Sequence, residues 1–522
     1  MQIIVPMSGT GSRFQRAGYR DIKPLIDVDG APMIQHVINM FPGENDFLFI
    51  CTREALAQTP LRSVLKRLMP SGQIAEIEAH KLGPVHAVLQ ASEFIRRDAP
   101  ALVNYCDFSV GWDYADFKSR MQDLQCEGCI TAYRGFHPHS LGPNLYAYLR
   151  EQNNYLVEIA EKRCFTQDRL QEYASAGTYY FRSGELLIHY FERAIARQLQ
   201  VNGEFYASLP YNLLVEDGLR AYVYELKRFL QWGTPEDLEE YLGWSRYFRQ
   251  FQNWRPSGSP ACGTNLIPMA GAGVRFSREG FIGPKPLVKV DHRALVERSL
   301  ECLPPAKNWV AVCQSSHLGD GKLAQALSSG SRRFQIVPVA GLTDGQLASC
   351  LMAREQLDPD APLLIAPCDS ATVYDEELLS ELTRDQNTDC LVWTFLSHPH
   401  SNRNPQQYGW AIARSTGEIT NIVCKQQPPT APAETPGIVG TFWFRKARYF
   451  LDAADQLVAE NRRINGEFYV DSAIKVLIEQ GRRARIFPVL HYLCLGTPDD
   501  VRTYEYWAGH FHSQGKSFGI GA

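Results

Sequence analysis

Short, wholly apolar runs alternate along the chain with longer stretches in which apolar residues recur every three or four positions. QIIVPM (2–7), DFLFICT (46–52), ALVNYCDF (101–108) and CITAYRG (129–135) are short and rich in β-branched and aromatic residues, which predicts buried strands. PMIQHVINMF (32–41) and GPVHAVLQASEFIRR (83–97) have helical spacing. YAYLREQNNYLVEI (146–159) predicts a hairpin turning at Asn153 and Asn154, and Thr234, Pro235 and Asp237 in GTPEDLEEYL predict a capped helix start. Strands alternating with amphipathic helices predict a parallel-rich α/β sheet with crossover helices. Its ligand crevice should lie outside the carboxyl ends of the strands.

The pattern occurs twice. VPMSGTGSRF (5–14) is echoed by IPMAGAGVRF (267–276), and one register carries the echo down the chain. Gly9, Gly11, Arg13, Lys23, Gly83 and Asp107 stand opposite Gly271, Gly273, Arg275, Lys285, Gly345 and Asp369, each 262 residues on. After one inserted residue the offset is 263, pairing Lys162 with Lys425, Gly177 with Gly440, and NGEFY at 202 with NGEFY at 465. The chain therefore reads as two homologous domains, 1–252 and 264–522, joined by a Pro/Gly/Ser-containing linker, 253–263. Its 522 residues exceed what one core of about 250–300 residues accommodates.

Bulk composition narrows the partners. A formal net charge of -4 provides no basic field for nucleic acid or anionic lipid, so an anionic ligand must be caught locally. The 13 cysteines are dispersed and mostly set in apolar runs, as expected of reduced core thiols in a cytoplasmic protein; only Cys126 and Cys129, in CEGC, are closely paired. The N-terminus opens directly on a strand without a charged leader, and no run of roughly 18 apolar residues suggests a transmembrane segment. A homo-oligomer is compatible with this composition.

The loop after the first strand lacks the Lys-Ser/Thr ending of a Walker A motif, and its glycines do not fit G-x-G-x-x-G. What it has is two glycines, Arg13 and, about ten residues on, Lys23 in KPL: backbone amides, a guanidinium and an ammonium suited to a triphosphate. Phosphate attack on an α-phosphorus needs positioning and charge neutralisation but no protein nucleophile, so the lack of a Ser-His-Asp arrangement does not count against it. His137 and His139 read as surface or loop residues, and the aromatics of GTYYF and WGTPED as sheet packing.

A G-x-G-x-R loop, K-P-L and a later strand ending in Asp resemble the sugar-phosphate nucleotidylyltransferase family, over nearly the whole of both copies. The resemblance implies two tandem nucleotidyltransferase domains of GT-A/Rossmann-like α/β fold, each a mostly parallel mixed sheet flanked by helices. It implies Mg²⁺-dependent transfer of a nucleotidyl group from an NTP to a sugar 1-phosphate or phosphorylated polyol, releasing pyrophosphate and yielding an activated precursor for surface polysaccharide. In the first copy Gly9, Thr10, Gly11 and Arg13 would hold the triphosphate, Lys23 the α-phosphate region, Gly83 the base edge, Asp107 the metal, Lys162 the acceptor phosphate, and Gly177 and Glu204 the sugar. Gly271, Ala272, Gly273, Arg275, Lys285, Gly345, Asp369, Lys425, Gly440 and Glu467 are the second set.

The copies also depart from the family. Where it often has a second metal-binding carboxylate before the last GT, Gln231 and Cys494 stand; Glu225 is a candidate replacement in the first copy, and Pro488 holds the equivalent place in the second. Cys424 replaces Glu161, so the second acceptor site looks less complete. Two alternatives stay open: one catalytic copy beside a degenerate binding copy, and a GT-A-like glycosyltransferase using an NDP-sugar. The D-x-D expected of the latter is absent, since Asp107 is followed by Phe108 and Ser109, and Asp369 by Ser370 and Ala371.

Overall fold

The computed structural model describes residues 1–9, 11–258, 262–329 and 332–515. The chain forms two compact units, Met1–Ser245 and Arg246–Ala522. In the first, β1 (Gln2–Met7), β2 (Phe47–Thr52), β3 (Gln73–Ile77), β4 (Ala101–Asn104), β5 (Gly128–Tyr133), β6 (Ala147–Gln152), β7 (Tyr155–Glu161), β8 (Tyr173–Phe181) and β9 (Ala221–Glu225) make one sheet, ordered β3-β2-β1-β4-β8-β5-β9-β7-β6. β1, β2, β3 and β4 run parallel, and β8 enters antiparallel to both β4 and β5, so the sheet is mixed.

Continuous apolar runs suit strands covered on both faces. Every residue of β1, β2 and β5 is buried. Alternate residues serve opposite faces: Ile4, Leu48 and Ile50 join one core, while Ile3, Val5, Phe47 and Phe49 join another. The second unit repeats the order with Phe334–Val339, Ala306–Gln314, Cys262–Pro268, Leu363–Ile365, Gly437–Phe444, Cys390–Phe395 and Ala484–Pro488; a hairpin, Gly409–Ala413 with Ile419–Cys424, joins at Gly437–Phe444. Its two cores separate in the same way, with Leu266 on one side and Ile267 on the other.

The predicted hairpin turns where expected, with Asn153 and Asn154 at φ 56° and 66° between β6 and β7. Thr234 Oγ1 accepts from Asp237 N at 3.2 Å and caps the helix Pro235–Arg246. Two predicted elements are shorter than the pattern implied. The helix from Pro84 ends at Gln90, and ALVNYCDF is cut after Asn104; Phe108–Gly111 instead pairs with Arg228–Gln231 in a separate two-stranded ribbon. That ribbon recurs as Ser370–Val373 with His491–Cys494, and each ribbon backs onto the acid before it. Trp232 N donates to Asp107 O and Leu495 N to Asp369 O, both at 3.0 Å.

Of the expected linker, residues 259–261 lie outside the described residues. The stretch before them is anchored on the second unit: Tyr247 stacks on His491 with centroids 4.8 Å apart, Trp254 meets Tyr374 edge-on, and Ser257 and Gly258 amides donate to Glu376. Among the described residues no helix is long and apolar enough to cross a membrane.

Candidate active site

In the first unit the predicted residues converge on one cleft at the carboxyl ends of β1 and β4. Gly9, Gly11, Lys23, Gly83, Asp107 and Glu204 line one part of it, and Arg13, Lys162 and Gly177 line the other, the two parts sharing Gly11, Lys23, Asp107 and Glu204. Thr10 lies outside the described residues. Gly11 takes φ 60°, a left-handed value that turns the loop into the short helix Ser12–Arg16. Arg13 projects from that helix on an exposed face. Gly83, at φ 88°, is pressed against the turn 202–206: an added Cβ would stand 2.8 Å from both Phe205 N and O.

At the centre, Lys23 starts the one-turn helix Lys23–Leu25, whose Pro24 is buried. Its Nζ lies 2.5 Å from Asp107 Oδ2 and donates to Gly233 O at 3.2 Å. Both side chains remain about a fifth exposed, at 21% and 22%, so the charges neutralise one another yet stay within reach of a ligand. The donor set here is hard: the Asp107 carboxylate, with the Gln231 amide beside Gly233. Magnesium binds through one or two carboxylates plus substrate phosphate oxygens, so Asp107 suits it.

At the other end of the cleft, Lys162 adopts φ 56°, a left-handed backbone rare for a lysine, held by its N–H on Tyr146 O at 2.9 Å. The bend follows β7 directly and carries Nζ to Tyr206 OH at 2.6 Å; that hydroxyl donates in turn to Glu204. Beside it the Glu161 carboxylate accepts from Ser208 Oγ at 2.7 Å. Burial pushes Glu161 up to about 7, against the opposing pull of Ser208 and Lys162. Gly177, at φ 95°, sits in a bulge of β8, where an added Cβ would crowd Phe108 and Tyr105 at 3.0 and 3.1 Å.

The second unit repeats the geometry. Gly271 and Ala272 are exposed, and Gly273 takes φ 63° before the helix Val274–Arg278, which carries Arg275 outward. Lys285 pairs with Asp369 and donates to Gly496 O at 3.1 Å. Burial works against the Lys285 ammonium, but Asp369, with smaller contributions from Cys368 and Cys494, holds the lysine above its ordinary value. Gly345 presses on Phe468, Gly440 takes φ 96°, and Lys425 repeats the left-handed bend at φ 54° with its N–H on Tyr408 O at 3.0 Å. Lys425 Nζ donates to Gln407 O and stands over the Tyr469 ring, which bonds Glu467.

The equivalent end of this copy is not short of an acid. Asp471, opposite Ser208 in the repeat, supplies a buried carboxylate bonded to the Cys424 thiol, so acid and small partner have exchanged places across the site. Burial holds Asp471 above the usual carboxylate range, against Lys425 and the thiol. Gly409 makes the room, since a Cβ there would collide with Asp471. The sequence comparison found the loss at Cys424 but missed the gain 47 residues later. A signal existed, because Asp471 follows NGEFY at the place where the first copy has Ser208. Tyr206 and Tyr469, which buttress the two lysines, were likewise present in the repeated NGEFY.

Two expectations change. Glu225 is not placed as a second ligand: it pairs with Arg134 at 3.2 Å and takes Tyr173 OH at 2.7 Å, outside the lining of the cleft. His137 and His139 are not surface residues; they pack in an aromatic layer with Tyr133, Tyr146 and Phe229, and burial lowers both pKa values, His137 to about 4. Cys126 and Cys129 are both fully buried. The one group of three candidate metal ligands among the described residues lies elsewhere, at His400, Cys494 and Asp500.

Family models match both halves of the chain. The Nucleotidyl transferase family matches residues 3–241, and the MobA-like NTP transferase domain matches residues 266–428. Similar solved structures include a nucleoside-diphosphate-sugar pyrophosphorylase from Vibrio cholerae, with 21% identity over 46% of this chain and 99% of that one, at TM-score 0.40. An inositol-1-phosphate CTP transferase from T. maritima has 14% identity over 45% and 90%, at TM-score 0.37. A UDP-glucose pyrophosphorylase complexed with UDP-glucose has 17% identity over 48% and 98%, at TM-score 0.39. No curated protein matches the chain. With a family match in each half and the same cleft built twice, the chain belongs to the nucleotidyltransferases as two such domains in tandem.

Proposed function

We propose that each unit transfers a nucleotidyl group from an NTP to a phosphorylated sugar or polyol, releasing pyrophosphate, and that the two units use different acceptors. The observation that carries this reading is the repeated pairing of Lys23 with Asp107 and Lys285 with Asp369, set between a glycine loop and a second lysine, Lys162 or Lys425. An acceptor phosphate oxygen attacks the α-phosphorus; the new P–O bond forms as the α–β bridging bond breaks, and pyrophosphate leaves with the electron pair. The glycine loop and Arg13 or Arg275 hold the β and γ phosphates, Lys23 or Lys285 offsets charge at the α-phosphate, and Lys162 or Lys425 places the acceptor. Gly83 and Gly345 admit the base edge, and Gly177, Glu204, Gly440 and Glu467 face the acceptor's hydroxyls. Asp107 and Asp369 would hold Mg²⁺, which supplies further charge neutralisation when bound.

Different acceptors follow from the acid exchange. Glu161 and Asp471 extend from opposite members of the exchanged pair, a longer acid bonded to Ser208 in one unit and a shorter acid bonded to the Cys424 thiol in the other, so a hydroxyl pattern that suits one carboxylate is expected to suit the other less well. The product class suits supply of activated precursors for surface polysaccharide made in the cytoplasm. The test is pyrophosphate release from the intact chain, each of four NTPs crossed with hexose, heptose and polyol phosphates. Release that requires an acceptor, with a nucleotidyl-acceptor product, is the expected result. Release from no pair, with NDP-sugar consumed instead, would replace this reading by the glycosyltransferase one.

A further inference from the structure

His400, Cys494 and Asp500 meet in the second unit from three separate elements. His400 lies on the short helix Pro399–Arg403, Cys494 ends the strand His491–Cys494, and Asp500 lies in the first turn of the helix Pro498–Gly515. His400 Nδ1 is 2.9 Å from Asp500 Oδ1 and Cys494 Sγ is 3.5 Å from Asp500 Oδ2, with all three groups' ligand atoms within 4.8 Å of one another. Ligands around a tetrahedral ion at 2.0–2.3 Å stand about 3.3–3.8 Å apart, so the trio is close to coordination spacing. The His400 and Asp500 side chains are only 14% and 8% exposed. Asp500 also caps its helix, but through Oδ2, which accepts from Thr497 N at 2.8 Å, while Oδ1 faces the histidine.

The first unit shows what one exchange changes. HPHS at 137–140 aligns with HPHS at 398–401, and GTPED at 233 with GTPDD at 496, which sets His139 opposite His400 and Asp237 opposite Asp500. Only the third place differs in ligand chemistry: Gln231 for Cys494. His139 is engaged by Tyr133 OH at 2.7 Å, and an amide cannot become a thiolate. The second unit's trio also adjoins the nucleotide cleft. A Cβ added to Gly496 would lie 3.4 Å from Asp369 Oδ2, 3.8 Å from Cys494 Sγ and 3.9 Å from Asp500 Oδ2.

We infer that His400, Cys494 and Asp500 bind a transition-metal ion of the zinc class beside Asp369. A thiolate, an imidazole and a carboxylate are a set that zinc accepts and magnesium does not favour, and three protein ligands leave a fourth position for water or a phosphate oxygen. Entry of the ion releases the Cys494 proton to solvent and leaves the His400 proton on Nε2, with two negative ligand charges against the metal's two positive ones. The inference does not depend on the transfer reaction, because occupancy is read without turnover.

Titrating the intact, metal-stripped chain with Co²⁺ tests it. The expected result is a thiolate-to-cobalt charge-transfer band saturating at one equivalent and erased by added Zn²⁺. Cys494→Ser removes the band, His400→Ala weakens zinc affinity by more than the roughly 10–100-fold typical of losing a supporting outer partner, and Cys164→Ser changes neither. Circular dichroism establishes that the variants are folded; should Cys494→Ser not fold, His400→Ala, which keeps the thiol, carries the test. No thiolate band in the native chain, or a band intact in a folded Cys494→Ser, overturns the site.

Discussion

Gly83 has neither the φ nor the space for a side chain: it takes φ 88°, and a Cβ would press 2.8 Å from Phe205 backbone atoms. Gly83→Ala is therefore expected to cost the first unit about 1–3 kcal/mol, read by thermal unfolding, and to weaken nucleotide binding there. Glu161 carries a pH signature. Its folded-state value of about 7 lies above the ordinary 4.5, so the folded unit binds a proton that the unfolded chain releases between those values. Stability contributed by this group is thus greatest below about pH 4.5 and declines as pH rises to about 7; Glu161→Gln should flatten that slope in urea melts. Asp107→Asn should abolish pyrophosphate release by the first unit with the fold intact, and a fully active variant at ordinary Mg²⁺ would remove it from the site. The sequence made these positions legible because a duplicated glycine, lysine or acid in fixed register stands out. It concealed Asp471 because compensation across a site leaves no mark at either position taken alone.

The proposed acceptor end is an assembly of elements: the strand carrying Glu161 or Cys424, the left-handed bend at Lys162 or Lys425, and the segment bearing Ser208 or Asp471. Exchanging the pair, Cys424→Glu with Asp471→Ser, should move the second unit's acceptor preference toward that of the first. Asp471→Asn alone should lower its acceptor-dependent turnover by roughly 10–100-fold, matching about 1–3 kcal/mol for an unpaired buried group, while NTP affinity holds. A matching loss of NTP affinity would show that Asp471 supports the fold of the site and not the acceptor. Strands and the Asn153–Asn154 hairpin were readable from apolar runs and turn residues. The cut in ALVNYCDF was not, because the residues on both sides of it are apolar and only the partner strands differ, β1 and β8 for Ala101–Asn104 and the ribbon for Phe108–Gly111.

At the scale of the chain, duplication was legible from register alone, whereas the attachment of residues 246–258 was not, since Pro, Gly and Ser suggest a linker whatever they touch. Tyr247, Phe248, Trp254 and Arg255 contact aromatic or acidic residues of the second unit, including Arg255 to Glu301 at 2.5 Å. A fragment beginning at Arg246 should consequently melt higher than one beginning at Cys262, and equal melting would show that the anchor contributes nothing. The central claim is that the chain holds two separate nucleotidyl-transfer sites. Its most direct test compares Lys23→Ala with Lys285→Ala in the intact, folded chain, measuring pyrophosphate release across the full set of NTPs and acceptor phosphates. Each variant is predicted to lose the release supported by one acceptor class and keep the other; loss of the same activity to the same extent in both would contradict two independent sites.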